Sequence, residues 1–94
     1  MLPVVWSFSA RLTFVETLGF AQELSQSLAS SLLEETRDTI KKIAQFNQAC
    51  PNSIRRPKFR RCTLMEGRIS LFHIVKKNRI EIIAVRDNRR KPKF

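Results

Sequence analysis

The 94-residue sequence contains no tyrosine, one histidine, one tryptophan, two glycines and two cysteines. Each shortage excludes something. Gly19 and Gly67 alone cannot build a glycine-rich phosphate loop. One histidine, His73, cannot assemble a histidine metal centre. Two cysteines are too few for a disulfide framework or a cysteine-rich zinc site. Neither a metal nor a cofactor is therefore expected. No run of apolar residues is long enough for a transmembrane helix. The opening Met1-Leu2-Pro3-Val4-Val5-Trp6 lacks the basic stretch and long apolar core of a signal peptide. The chain is thus expected to be cytoplasmic, with Cys50 and Cys62 as reduced thiols, a single bridge between them being the open alternative.

Acidic residues are also scarce, 8 against 18 Lys and Arg, for a net charge of +10. This balance points to an anionic partner: nucleic acid, an acidic protein or a membrane surface. The excess is not spread evenly. Residues 1–50 carry a net charge of −1, with Arg11, Arg37, Lys41 and Lys42 as their bases, whereas residues 51–94 carry +11. A split of this kind focuses the potential on one part of the fold. With 43% hydrophobic and 28% charged residues, the chain has the composition of one small folded domain spanning 1–94.

The two halves differ in periodicity as well as charge. Residues 4–8 are β-branched and aromatic and read as a strand. Ser9 is placed to cap a helix over residues 10–24, where Leu12, Phe14, Val15, Leu18 and Ala21 recur at helical spacing. Ser25-Gln26-Ser27 offers a second cap. Ala29, Leu32, Leu33, Ile40, Ile43 and Ala44 then form one apolar stripe over residues 28–48, ended by Pro51. Glu34, Glu35 and Asp38, with Lys42 four residues beyond Asp38, read as the solvated face of that helix. From residue 58 the period changes to two. Strands are expected at 58–64, 68–76 and 79–86, with turns at Met65-Glu66-Gly67 and Lys77-Asn78. Ile80, Ile82 and Ala84 alternate with Glu81, Ile83 and Val85, and apolar residues on both faces suit a central strand. Trp6, Phe8, Phe20 and Phe46 are expected in the core. The result is an α+β plan, strand-helix-helix-three strands, with both helices on one face of a small, mainly antiparallel sheet.

With its segments in this order, the sequence resembles the RelE/ParE superfamily of toxins from bacterial type II toxin–antitoxin modules. Val4-Val5-Trp6-Ser7-Phe8-Ser9-Ala10 is similar to the opening strand and Ser-x-x-Ala helix start. Phe46-Asn47-Gln48-Ala49-Cys50-Pro51 is similar to the helix end before a proline-bearing loop. Ser70-Leu71-Phe72-His73-Ile74-Val75 resembles the middle strand, and the segment from Ile80 through Arg86-Asp87-Asn88-Arg89-Arg90 the last strand and basic tail. The resemblance implies a compact cytoplasmic toxin with no membrane partner, held inactive by an acidic cognate antitoxin. Some members cleave mRNA in the ribosomal decoding site, and ParE-like members poison DNA gyrase without cutting nucleic acid.

Two clusters of bases are the candidate nucleic-acid contacts: Arg55, Arg56, Lys58, Arg60 and Arg61, and then Arg86, Arg89, Arg90, Lys91 and Lys93. Arg68 stands at the hairpin between them. Cationic side chains at this density suit phosphate. Within the first cluster, strand alternation sends Lys58 and Arg60 to one face and Phe59 and Arg61 to the other. Cleavage by attack of a ribose 2′-OH needs a proton acceptor, a proton donor and cations around the phosphate. In cleaving members of the family these come from bases on the strand after the loop, an Arg near the next hairpin, and an Arg plus a Tyr in the tail. The resemblance assigns the roles here to Arg60, Arg61, Arg89 and Arg90. His73 is the one acid/base candidate of ordinary pKa; its strand neighbours Leu71 and Val75 argue for a packed side chain instead. The hairpin positions Leu64 and Met65 are apolar, and the tail aromatic is Phe94, which can stack but cannot exchange a proton. The sequence thus supports a ribosome-dependent mRNA endonuclease on the density of arginine. The missing tyrosine favours a gyrase-binding poison, and a toxin that only binds its antitoxin is the third reading.

Overall fold

The computed structural model describes residues 1–89 and contains six elements: β1 (Val4–Trp6), α1 (Phe8–Leu24), α2 (Gln26–Gln45), β2 (Arg60–Leu64), β3 (Ile69–Val75) and β4 (Ile80–Asp87). The sheet order is β1-β4-β3-β2, with β1 parallel to β4 and the other pairs antiparallel. The last strand is therefore central, as its two apolar faces required. Ala10, Ala21, Ala29, Leu32 and Ile43 of the helices bury against Cys62, Leu64, Ile69, Leu71, Ile80, Ile82 and Val85 of the sheet. The opposite face of the sheet is left without a helix.

Serine chemistry sets the helix starts, though not at the serine the sequence suggested. Ser7, not Ser9, caps α1: its Oγ accepts from Ala10 N at 3.0 Å. The backbone N–H of Ser7 also donates to Ile82 O, so the chain leaves the sheet at this residue and must turn there. Phe8 consequently begins the helix on its outer side, 78% exposed, rather than packing beneath it. Trp6 does pack inward, its ring 5.2 Å from that of Phe14. Ser25 serves two helices, donating its N–H to Ala21 O and accepting from Leu28 N at its Oγ. The second helix ends at Gln45, before the expected 48, leaving Phe46 at the surface, and Phe20 and Leu33 are surface residues as well. The core stripe of α2 narrows to Ala29, Leu32, Thr36, Ile43 and Ala44.

Between α2 and the sheet the chain doubles back on itself. Ser53 N donates to Phe59 O, Arg61 N to Pro51 O, and Asn52 Nδ2 to Pro57 O. A turn at 57–58 delays β2 until Arg60, two residues later than alternation predicted. Cys50 and Cys62 are joined in a disulfide across this loop, with Cα atoms 5.2 Å apart, so the reduced-thiol expectation is corrected. Both lie at the sheet–helix junction, where the fold itself brings their side chains together.

The phase of β4 is the main departure from simple alternation. Phe72 pairs with Ala84 but His73 pairs with Ile82, leaving Ile83 as an extra residue. Such a bulge exchanges the faces of everything beyond it. Ile80 and Ile82 face the helices, and after the bulge so does Val85, 2% exposed, whereas Ala84 shares the open face with Phe72.

The β2–β3 hairpin turns through Met65, Glu66 and Gly67, all with positive φ. The two non-glycine residues each carry some strain there. The turn is tied to α2, because Glu35 Oε2 accepts from Met65 N at 2.7 Å. Glu35 is thus not a solvated residue of a charged face. Replacing a charged acceptor of a partly buried N–H usually costs about 1–3 kcal/mol. Glu35→Ala is expected to lower the urea unfolding midpoint by a loss in that range, and Glu35→Gln, which retains an acceptor oxygen, to recover most of it.

Candidate anion-binding groove

The open sheet face acquires its character from alternation corrected by the bulge. Arg61 pairs with Phe72 across β2–β3, and Ser70 with Arg86 across β3–β4, so these four side chains share the face away from the helices. The loop before β2 adds Ser53, Ile54, Arg55, Arg56 and Phe59, which with Arg61, Phe72 and Arg86 line a half-open groove of about 840 Å³.

The ring of Phe72 lies at its centre. The Arg61 and Arg86 guanidinium carbons lie 5.9 and 5.4 Å from the ring centroid. Both cations are attracted by the π-electrons of the ring. Hydrogen bonds fix them further. Arg61 Nε donates to Ser70 Oγ at 2.7 Å, and Ser70 Oγ donates to Asn88 Oδ1 at 2.9 Å. Arg86 Nη2 reaches the same Asn88 oxygen at 3.5 Å, and Asn88 Nδ2 donates to Gly67 O. This chain of neutral partners positions the guanidinium groups without neutralising them.

Among the described residues no carboxylate pairs with Arg55, Arg61 or Arg86; the ion pairs join Lys76 and Arg79 to Glu81, and Arg89 to Asp87. Burial, then the nearby Arg61 and Arg55 charges, lower the pKa of Arg86 from its ordinary value. Like charges gathered in this way raise the free energy of the empty groove. A bound dianion relieves it. The groove presents cations and an aromatic face, the combination that binds phosphate and stacks a base. Among the described residues its lining holds no histidine, carboxylate or lysine.

The sequence-derived site residues divide accordingly. Arg55, Arg56, Arg61 and Arg86 come together in the groove. Lys58 is exposed on the turn before β2, Arg68 lies beyond the far end of the sheet at the β2–β3 hairpin, and Arg89 is exposed beside Asp87. Arg60 does not join Arg61: it pairs with His73 on the opposite face, where its Nη1 donates to Cys50 O at 2.7 Å. His73 is on that face too, fully buried, and neither ring nitrogen has a partner. Arg90, Lys91, Lys93 and Phe94 lie outside the described residues. Phe72, Ser70 and Asn88 were not singled out from the sequence. Phe72 carried a readable signal, being apolar at the position that alternates with the core residues Leu71 and His73.

No protein-family model and no curated protein matches the sequence. Solved structures do match the fold. A chain of the chromosomal ParDE TA system from P. aeruginosa superposes with a TM-score of 0.76 at 20% identity, covering 93% of this chain and 96% of that one. The conserved hypothetical protein HP0894 from Helicobacter pylori, determined in solution, superposes with a TM-score of 0.60 at 20% identity, covering 95% and 97%. The expected α+β architecture, two helices on one face of a four-stranded, mainly antiparallel sheet, is the fold of this chain and is shared with these structures.

Two predictions follow from the geometry. Arg61→Ala and Arg86→Ala are each expected to weaken binding of a single-stranded RNA oligonucleotide and to lower the salt slope of log K by about 0.7, whereas Arg60→Ala leaves the slope unchanged. Fluorescence anisotropy across a salt series measures this. Burial, and secondarily the Arg60 charge, hold the pKa of His73 down at about 4, against 6.5 in an unfolded chain. A depressed histidine stabilises the fold fully above pH 6.5 and progressively less as pH falls towards 4, by up to about 3 kcal/mol. Unfolding midpoints between pH 7 and 4 should fall in the wild type and fall less in His73→Leu.

Proposed function

We propose that this chain is the toxin of a type II toxin–antitoxin module and that it inhibits translation by engaging mRNA on the ribosome through the Arg61–Phe72–Arg86 groove. The observation that carries the reading is the cluster of guanidinium groups without carboxylate partners around one aromatic ring. A base stacked on Phe72 would bring its flanking phosphate within reach of Arg61 and Arg86. There the cations would stabilise the charge that builds on phosphorus as a 2′-OH attacks. Arg55 and Arg56 extend the cationic surface along the strand of RNA. The cognate antitoxin, in this reading, supplies carboxylates to the same groove and so competes with RNA for it. The compartment is the cytoplasm, where ribosomes are met; no helix among the described residues is long and apolar enough to cross a membrane.

A second reading, a gyrase poison that acts by binding alone, is favoured by one observation. Among the described residues the groove lining contains no histidine or carboxylate to move a proton. A binding poison needs none.

Primer extension on mRNA-programmed ribosomes separates the two. Cuts confined to the decoding site, reduced at least about a hundredfold in the Arg61→Ala/Arg86→Ala double variant, are expected. Intact mRNA from a protein that still arrests growth overturns the nuclease reading, and inhibition of DNA supercoiling by purified gyrase would then support the binding poison.

A further inference from the structure

The helix-covered face of the sheet holds a second group of reactive side chains. Cys50, Cys62 and His73 are all buried, and their sulfur atoms and a ring nitrogen lie within 4.8 Å of one another. Cys62 pairs with Leu71, so His73 is its diagonal neighbour on the same face of β3. The histidine is the unusual member. Its ring is 0% exposed and, among the described residues, both nitrogens lack a hydrogen-bond partner. A neutral imidazole has one N–H and one lone pair to satisfy, and leaving either unmatched in the interior is costly. Leucine or valine would fill such a position without that cost. The disulfide accounts for the two cysteines but not for the histidine beside them.

We propose that in its dithiol form the protein binds one Zn2+ ion through Cys50 Sγ, Cys62 Sγ and a ring nitrogen of His73, so that the disulfide and the metal are alternative closures of the same site. Two thiolates and an imidazole form a borderline-soft donor set that suits zinc, and neither residue type alone is numerous enough in this chain to supply one. Metal–sulfur bonds of about 2.3 Å set the two sulfurs roughly 3.8 Å apart in a tetrahedral site, a separation that an opened bridge reaches by small side-chain rotations. Two thiolate charges cancel that of the ion, so the buried site is neutral. Arg60 stays held to Cys50 O. A cleft of about 370 Å³ is lined by Cys50, Pro51, Asn52, Cys62 and Thr63. In the proposed site a water completes the tetrahedron as fourth ligand.

The chemistry balances. A dithiol reductant delivers two electrons and two protons to the S–S bond, which breaks to give two thiols while the reductant closes its own disulfide. Zn2+ then displaces both thiol protons to solvent and accepts the lone pair of one imidazole nitrogen, the other keeping its proton.

The test uses the full chain, with and without prior reduction by a dithiol that is then removed under anaerobic conditions. Zn2+ is titrated in competition with a chromophoric chelator. Uptake of one equivalent by the reduced protein and none by the oxidised protein is expected, with Co2+ in place of Zn2+ giving the intense visible bands of tetrahedral thiolate coordination. His73→Leu, which fills the position with an apolar side chain, should retain the fold and lose affinity by on the order of a hundredfold. If reduction alone unfolds the chain, Zn2+ should restore its native circular dichroism. Reduced protein that takes up no Zn2+, a failure of Zn2+ to restore the unfolded reduced chain, or His73→Leu binding as tightly as wild type would each overturn the proposal. These readouts involve neither RNA nor growth arrest, so they stand apart from the functional reading above.

Discussion

One extra residue in β4 decides what each face of this sheet does. The pairing of Phe72 with Ala84 and of His73 with Ile82 leaves Ile83 between them. Without that insertion strict alternation would carry Ala84 and Arg86 onto the face of Ile80 and Ile82, placing a guanidinium under the helices, and would expel Val85. With it, Val85 completes the core and Arg86 reaches the open face beside Phe72. An uncompensated cation in the core costs several kcal/mol, so the bulge is required for folding as well as for the groove. The backbone N–H of Val85 donates to Thr13 Oγ1, which anchors the shifted segment to α1 just after the irregularity.

The architecture was legible because it depends on repeated signals. Helical spacing from Leu12 onward, a cap at Ser25 and the change to period two beyond residue 58 each specify an element over many residues. The central position of β4 followed from its apolar residues on both faces. The errors fell where one local contact outranks a pattern. Ser7 displaces Ser9 as the cap because Ser7 also donates its backbone N–H to β4, and that single change moves Phe8 to the surface. Glu35 belongs to the hairpin rather than to solvent because Met65 N, 30 positions away in sequence, needs an acceptor. The pairing of Cys50 with Cys62 depends on the loop doubling back, which no spacing rule encodes.

The groove was half legible for the same reason. Arginine density marked segments that line the groove, and alternation set Arg60 and Arg61 on opposite faces, as the strand pairing does. The partnership of Arg61 with Arg86 depends on the bulge and on the sheet order, both set by tertiary packing. The charge split between the two halves of the sequence finds its physical meaning here. The N-terminal half supplies the helical cover, whereas the C-terminal half supplies both the core strands and the cationic face on their other side. One side of three strands is therefore constrained by packing and the other by electrostatics. Residues that serve neither, such as Lys58 on its turn, have freedom that Arg61 and Arg86 lack.

The order of the elements has a consequence for synthesis. The first strand finds its partner only in the last, Val4 pairing with Ile80, and the groove draws on all of β2, β3 and β4. A growing chain can form the two helices early, but their apolar faces have no sheet to cover until β4 emerges. At about 5–20 residues per second, the interval between the end of α2 and the end of β4 lasts several seconds. During it the bases of β2 are already made, yet they face no aromatic platform and no second guanidinium. The binding surface arises all at once, when the final strand inserts between β1 and β3. A nascent chain stalled before Ile80 would carry much of the positive charge and none of the shape.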